Sequence, residues 1–295
     1  MQESIEGIVQ DEAVKRPKSN FPTIIDLLAI LGIFLLSQVI GLMVAYGLGY
    51  TIDAAAINSG DDLLARAAEY QLGWFTLISY LVVMGITILF TIFLRLLRGV
   101  RGVRMVRFSY LGLNPTLLLW GIILLLLISV ALDPLISIMP SPPEIKGRGV
   151  GMILSLLVAA PILEEFLCRG IILESVRRKW GLFVACILSS LFFAVLHMHP
   201  TQIINAFVVG LLLSYLYVRT NSIFAPILLH AFNNGLAFLL IYIGYGDVTL
   251  MDLVGNRELY NMIYYPSLVL LLISMCIIAR RLAHMEREQK EKSMQ

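Results

Sequence analysis

The sequence predicts an all-α protein, a polytopic transmembrane bundle of about eight helices. Three observations lead there. First, 59% of the 295 residues are hydrophobic and only 14% are charged, with a mean hydropathy of +0.86. A soluble domain carries about 25% charged residues, so this chain lacks the polar surface to face water, and lipid is the alternative solvent. Second, long apolar runs recur along the chain. Third, lysine and arginine concentrate in alternate loops.

Residues 1–22 are polar and mixed in charge, and contain no short apolar stretch of a cleavable signal. They read as a cytoplasmic tail. Apolar runs follow at 23–50, 72–94, 116–139, 150–173, 182–199, 202–219, 223–243 and 264–279. A helix needs about 20 apolar residues to cross the hydrocarbon core, so the fifth, sixth and eighth runs are short. Together they make a bundle over 23–279, and 280–295 is a charged cytoplasmic tail. The alternating pattern of a membrane barrel is absent. The terminal tails and the loops on their side hold 17 of the lysines and arginines, against 4 in the intervening loops. Basic residues favour the cytoplasmic side, so an even number of helices with both termini inside is expected, in a bacterial plasma membrane. The arginines spaced three apart from Arg95 to Arg107 fit a surface anchor on that side. A net charge of +2 with no basic-aromatic stretch argues against nucleic-acid binding. Cys168, Cys186 and Cys276 lie in apolar runs and read as packing residues.

Charges inside a membrane mark sites by default, since each costs about 2.5–3.5 kcal/mol at mid-bilayer even on the lenient scale. Five lie within the runs: Asp26, Asp133, Glu164, Glu165 and Arg169. Asp26 is close enough to a helix start to cap it. Asp133 precedes Pro134 and suits a structural role. Glu165 and Arg169 are four apart and share a helix face, whereas Glu164 points away from Arg169. Arg169 therefore neutralises Glu165 and leaves Glu164 available for chemistry. Pro161 withholds a backbone donor just upstream, so a kink is expected beside the acids.

Three histidines join them. His197 ends the fifth run, four residues after Phe193, with His199 just beyond; His230 and Asn234 share a face in the seventh. A glutamate, two histidines and an asparagine supply a general base, a partner for water and donors for a developing oxyanion. Glu164 lies 17 residues before Gly181, the expected turn, and His197 lies 16 after it. An antiparallel hairpin thus brings them to one depth. His230 is nine residues after Asn221, the next turn on that side. The depths agree only if the hairpin of helices four and five projects beyond that turn by a few helical turns.

The ordered motifs Glu164-Glu165…Arg169, Phe193…His197 and His230…Asn234 resemble the CPBP family, the CAAX proteases and bacteriocin-processing enzymes also called the Abi family. The resemblance covers about residues 150–243, the expected catalytic core in helices 4–7. It implies an intramembrane endopeptidase with a cavity open to the cytoplasm, acting on membrane-associated peptides or proteins. Glu164 and His197 would activate water, His230 and Asn234 would hold the oxyanion, and Glu165, Arg169 and Phe193 would support them. This mechanism needs no cofactor. The alternative is a zinc site at Glu164, His197 and His230, although asparagine is an unusual zinc ligand. A non-catalytic scaffold of the same fold, regulating a partner such as a sensor kinase, is the competing function. A transporter would show inverted repeats, and none is visible.

Overall fold

The computed structural model describes residues 21–58, 60–100, 106–109, 113–139, 147–246 and 248–294. The tail to residue 20, and Arg101, Arg104 and Lys146, lie outside the described residues. Each of the eight expected helices is present. They are α1 (Ile24–Gly47), α2 (Asp62–Leu97), α3 (Pro115–Ile136), α4 (Gly149–Trp180), α5 (Leu182–Leu196), α6 (Pro200–Thr220), α7 (Phe224–Tyr242) and α8 (Arg257–Met294). Two short helices, Ala54–Ile57 and Leu250–Val254, sit in loops. No strand occurs among the described residues. All but α5 are long and apolar enough to span a bilayer. α2 and α8 run well past their apolar segments, because the polar residues that flank those segments are good helix formers.

Local chemistry sets the helix ends. Thr23 and Asp26 form a capping box that opens α1, as expected for Asp26, which also pairs with Arg98 at 2.9 Å. This pair fastens the start of α1 to the end of α2. Gly181, at φ +86°, is the entire turn between α4 and α5. Asn221, in the left-handed region, closes α6. Asp133 accepts from the amide of Leu250 at 2.9 Å, so it anchors the loop helix Leu250–Val254.

The arginine series is more than a lipid anchor. Arg107 pairs with Glu174 at 2.8 Å, bonds Asn221, and gives its carbonyl to the amide of Ile223. Glu174 is 4% exposed and also faces Arg177 at 3.6 Å. The α6–α7 turn is therefore level with Glu174. Gly181 lies seven residues further on, so the α4–α5 hairpin projects about 10 Å beyond that turn at 1.5 Å per residue. This is the projection the sequence required.

The bundle core lies around α4, α5 and α6, where Leu167, Cys168, Ile171, Phe193, Leu213 and Tyr217 are almost wholly buried. Outward faces of α1 and α8 carry exposed leucines, isoleucines and valines, as a lipid surface requires. Cys168 and Cys186 are buried, but Cys276 is exposed on α8, and none forms a disulfide. α2 and α4 cross very closely. A Cβ on Gly151 would stand 2.7 Å from the backbone of Gly73 and Trp74. Small residues let helix backbones approach in this way, and the crossing brings the side chains of α2 onto α4.

Candidate active site

Pro161 shapes the helix that carries both acids. It has no N–H and cannot complete the hydrogen-bond ladder. α4 responds with a π-helical stretch at Ser155–Ala159, an α turn at Ala160–Glu165, and a second π stretch at Phe166–Leu173. The expected kink is absorbed as a change of register, and π segments of this kind often mark functional positions. In the i→i+5 register, residue 161 would donate to the carbonyl of Leu156. Asn234 fills that vacancy, its Nδ2 lying 3.1 Å from the Leu156 oxygen.

Glu165 and Arg169 pair as expected. Arg169 Nη1 donates to Glu165 Oε1 at 2.9 Å, and both side chains are fully buried. Arg169 Nη2 donates to the Gly210 carbonyl at 2.9 Å, and its guanidinium lies 4.5 Å from the centroid of the Phe193 ring. One arginine thus joins α4, α5 and α6. Its burial also makes it indispensable to Glu165, because an isolated buried charge costs several kcal/mol.

Glu164 faces the other way, as its spacing from Arg169 predicted. It is not unattended, however. Tyr80 of α2 donates to Glu164 Oε1 at 2.5 Å. Sequence reasoning missed Tyr80; the available signal was a phenol in an apolar span, whose hydroxyl needs a partner. The second oxygen, Oε2, is buried without a hydrogen-bond partner and lies 3.9 Å from His230 Nε2. That separation is too long for a direct bond.

His230 sits between the two acids. Its Nδ1 lies 3.1 Å from Glu165 Oε1, which turns Nε2 toward Glu164. His197 caps the C-terminus of α5 and is half-buried. Its Nδ1 lies 2.9 Å from the Phe193 carbonyl, which can only accept, so Nδ1 carries a proton and Nε2 is the nitrogen left open. The Phe193 ring packs edge-on against both histidines, with centroids 4.9 Å from His197 and 5.2 Å from His230. α5 has only 15 residues, about 22 Å at 1.5 Å per residue. Its end, and the turn at Met198 with φ +57°, therefore lie at the depth of the acids. His197 makes no hydrogen bond to Glu164. His199 turns aside to Thr201.

Glu164, Glu165, Arg169, Phe193 and His230 are thus brought into one connected cluster. His197 joins through Phe193, and Asn234 through the same helix face as His230. No group of three His, Cys, Asp or Glu side chains among the described residues converges in a way that would hold a metal ion. Tyr80 takes one oxygen of Glu164 and Glu165 takes Nδ1 of His230, which leaves Glu164 Oε2 and His230 Nε2 open.

Comparison with known proteins bears on the same segment. Residues 146–236 match the family model described as type II CAAX prenyl endopeptidase Rce1-like. The chain is 32% identical over 83 residues to "Putative membrane peptidase YdiL" of Bacillus subtilis (strain 168), covering 28% of this chain and 34% of that protein. It is also 32% identical over 83 residues to an "Uncharacterized 24.3 kDa protein" of Escherichia coli, covering 26% of this chain and 38% of that one. The match thus spans little more than a third of these relatives' lengths. No solved structure matches the chain. Residues 146–236, which carry every motif of the cluster, are thus the part of this helical membrane chain that is similar to the Rce1-like type II CAAX prenyl endopeptidases.

Proposed function

We propose that the chain is an intramembrane endopeptidase that hydrolyses membrane-associated peptides or proteins with a water activated by Glu164. The observation that carries the reading is the asymmetry of Glu164. One oxygen is held by Tyr80, and the other is buried, unpartnered and 3.9 Å from His230 Nε2. A carboxylate fixed in this way is positioned to take a proton from a water and pass it on.

In this mechanism the water oxygen attacks the peptide carbonyl while Glu164 Oε2 receives its proton. His197 Nε2 accepts a hydrogen bond from the water and orients it. The carbonyl oxygen becomes an oxyanion, met by Nε2–H of His230 and by the second amide hydrogen of Asn234. As the imidazolium, His230 donates from both nitrogens, with Nδ1 held by Glu165. The tetrahedral intermediate collapses as Glu164 returns the proton to the leaving amine. Each donor to the oxyanion is worth about 10²–10³ in kcat. No step requires a metal. Both termini lie in the cytoplasm of a bacterial plasma membrane in this reading, following the distribution of basic residues.

The test is substrate trapping in the native host. Peptides that accumulate with Glu164→Gln, and are cut by the purified wild type but not by Glu164→Gln or His197→Ala, support the endopeptidase. Full biological function in Glu164→Gln would favour the scaffold reading instead.

A further inference from the structure

Charge is unevenly matched where α2 and α4 end, on the proposed cytoplasmic side. Residues 285–294 of α8 are balanced, with three glutamates against three lysines and arginines. Elsewhere at this end the described acids are Asp26 and Glu174. Asp26 caps α1 and pairs with Arg98 at 2.9 Å. Glu174 takes Arg107 at 2.8 Å and Arg177 at 3.6 Å. Arg95 and Arg178 lie within electrostatic range of that same carboxylate and of each other. Four guanidinium groups thus gather about Glu174. The carbonyl end of α4 offsets part of the excess, but only within its last turn.

The cluster has depth as well as charge. Arg178 is exposed, Arg177 is half-buried and Arg95 is buried in the bundle. It therefore runs from the surface inward, whereas a simple anchor would lie flat against the headgroups. Its level is that of the membrane surface. Arg107 ties Glu174 to the α6–α7 turn, where those two helices end. Apolar side chains border it. Leu96 and Leu97 follow Arg95, Phe108 follows Arg107, and all three are exposed. Basic pockets between helices at the cytoplasmic face suit anionic lipid headgroups.

We propose that the ends of α2 and α4 hold the phosphate of an anionic lipid from the cytoplasmic leaflet, seated among Arg95, Arg177 and Arg178. Arg107 keeps Glu174 engaged beside it, and the acyl chains run along Leu96, Leu97 and Phe108. Guanidinium groups suit this ligand, because their paired N–H donors match phosphate oxygens. A choline headgroup is disfavoured, because it would bring a cation among the arginines. The proposal goes beyond the endopeptidase reading and does not depend on it.

The experiment titrates full-length protein in a neutral maltoside detergent with phosphatidylglycerol labelled on one acyl chain. Unlabelled phosphatidylglycerol should displace the probe, and phosphatidylcholine should not. Arg178→Gln should weaken binding about fivefold, and Arg178→Lys should weaken it less. Arg178 is exposed, so thermal unfolding in detergent should show both variants folded. Arg280, an exposed base on α8, is the control, and Arg280→Gln should leave binding unchanged. Equal displacement by the two lipids, or equal loss in Arg178→Gln and Arg280→Gln, would reduce the cluster to general surface charge and overturn the proposal. Displacement by millimolar inorganic phosphate would also overturn it, by assigning the site to a soluble anion. Residues 1–20 contain rival anions in Glu3, Glu6, Asp11 and Glu12. Lipid binding that emerges only when these four are replaced by glutamine and asparagine would make the tail the occupant instead.

Discussion

Asn234 donates to the carbonyl of Leu156 at 3.1 Å, the acceptor that Pro161 leaves unfilled on α4. One side chain of α7 thus repairs a defect in the helix that carries both acids, and it stands one helical turn from His230. The repair fixes one amide hydrogen and leaves the other free for the proposed oxyanion.

The two duties of Asn234 are separable. Asn234→Ala orphans a backbone carbonyl and should destabilise the protein by about 1–3 kcal/mol. It should also lower kcat by about 10²–10³. Adding Pro161→Ala returns a backbone N–H to α4. The double variant should regain thermal stability in detergent and stay slow. Recovery of turnover together with stability would show that Asn234 only mends the helix.

Tyr80→Phe removes the donor that holds Glu164 Oε1 and leaves the packing nearly unchanged. A hydrogen bond to a charged group contributes about 1.5–3 kcal/mol, so kcat should fall about 10- to 100-fold with the fold intact. Single-turnover cleavage measures this, and turnover equal to the wild type would remove Tyr80 from the mechanism.

Arg169→Ala should cost about 3–5 kcal/mol, because it strands Glu165 in a fully buried position. Arg169→Met combined with Glu165→Gln removes both charges and should be clearly more stable than Arg169→Ala. Unfolding in detergent reports the difference. Equal stability of Arg169→Ala and wild type would contradict the pairing at 2.9 Å.

Cysteines placed at Asp61 and Asp252, in a Cys276→Ser background, should react with an impermeant thiol reagent in intact cells. A cysteine at Gln289 should react only after permeabilisation. Labelling at Gln289 in intact cells would invert the proposed orientation.

Turnover of the purified protein should be indifferent to chelators. Stoichiometric zinc in the wild type, lost in His230→Ala, would replace the metal-free mechanism with a metalloprotease.

Short-range relationships were legible in the sequence. The eight helices follow from apolar length, the turns at Gly181 and Asn221 from residues that tolerate positive φ, and the Glu165–Arg169 pair from four-residue spacing on one helix. Even the projection of the α4–α5 hairpin was implied by counting residues from the two turns, and Arg107 reveals it by touching both Glu174 and Asn221. What the sequence could not supply was the rotation and register of helices far apart in the chain. Tyr80 meets Glu164 across 84 positions, Asn234 meets Leu156 across 78, and His230 meets Glu165 across 65. Each contact depends on which face a helix turns inward. Apolar composition leaves that undetermined when every face is greasy; for α2 against α4, the close approach at Gly73 and Gly151 sets the contact. The π registers around Pro161 are equally tertiary. A proline in isolation predicts a break, and only a neighbouring side chain able to satisfy the freed carbonyl lets the helix continue through it.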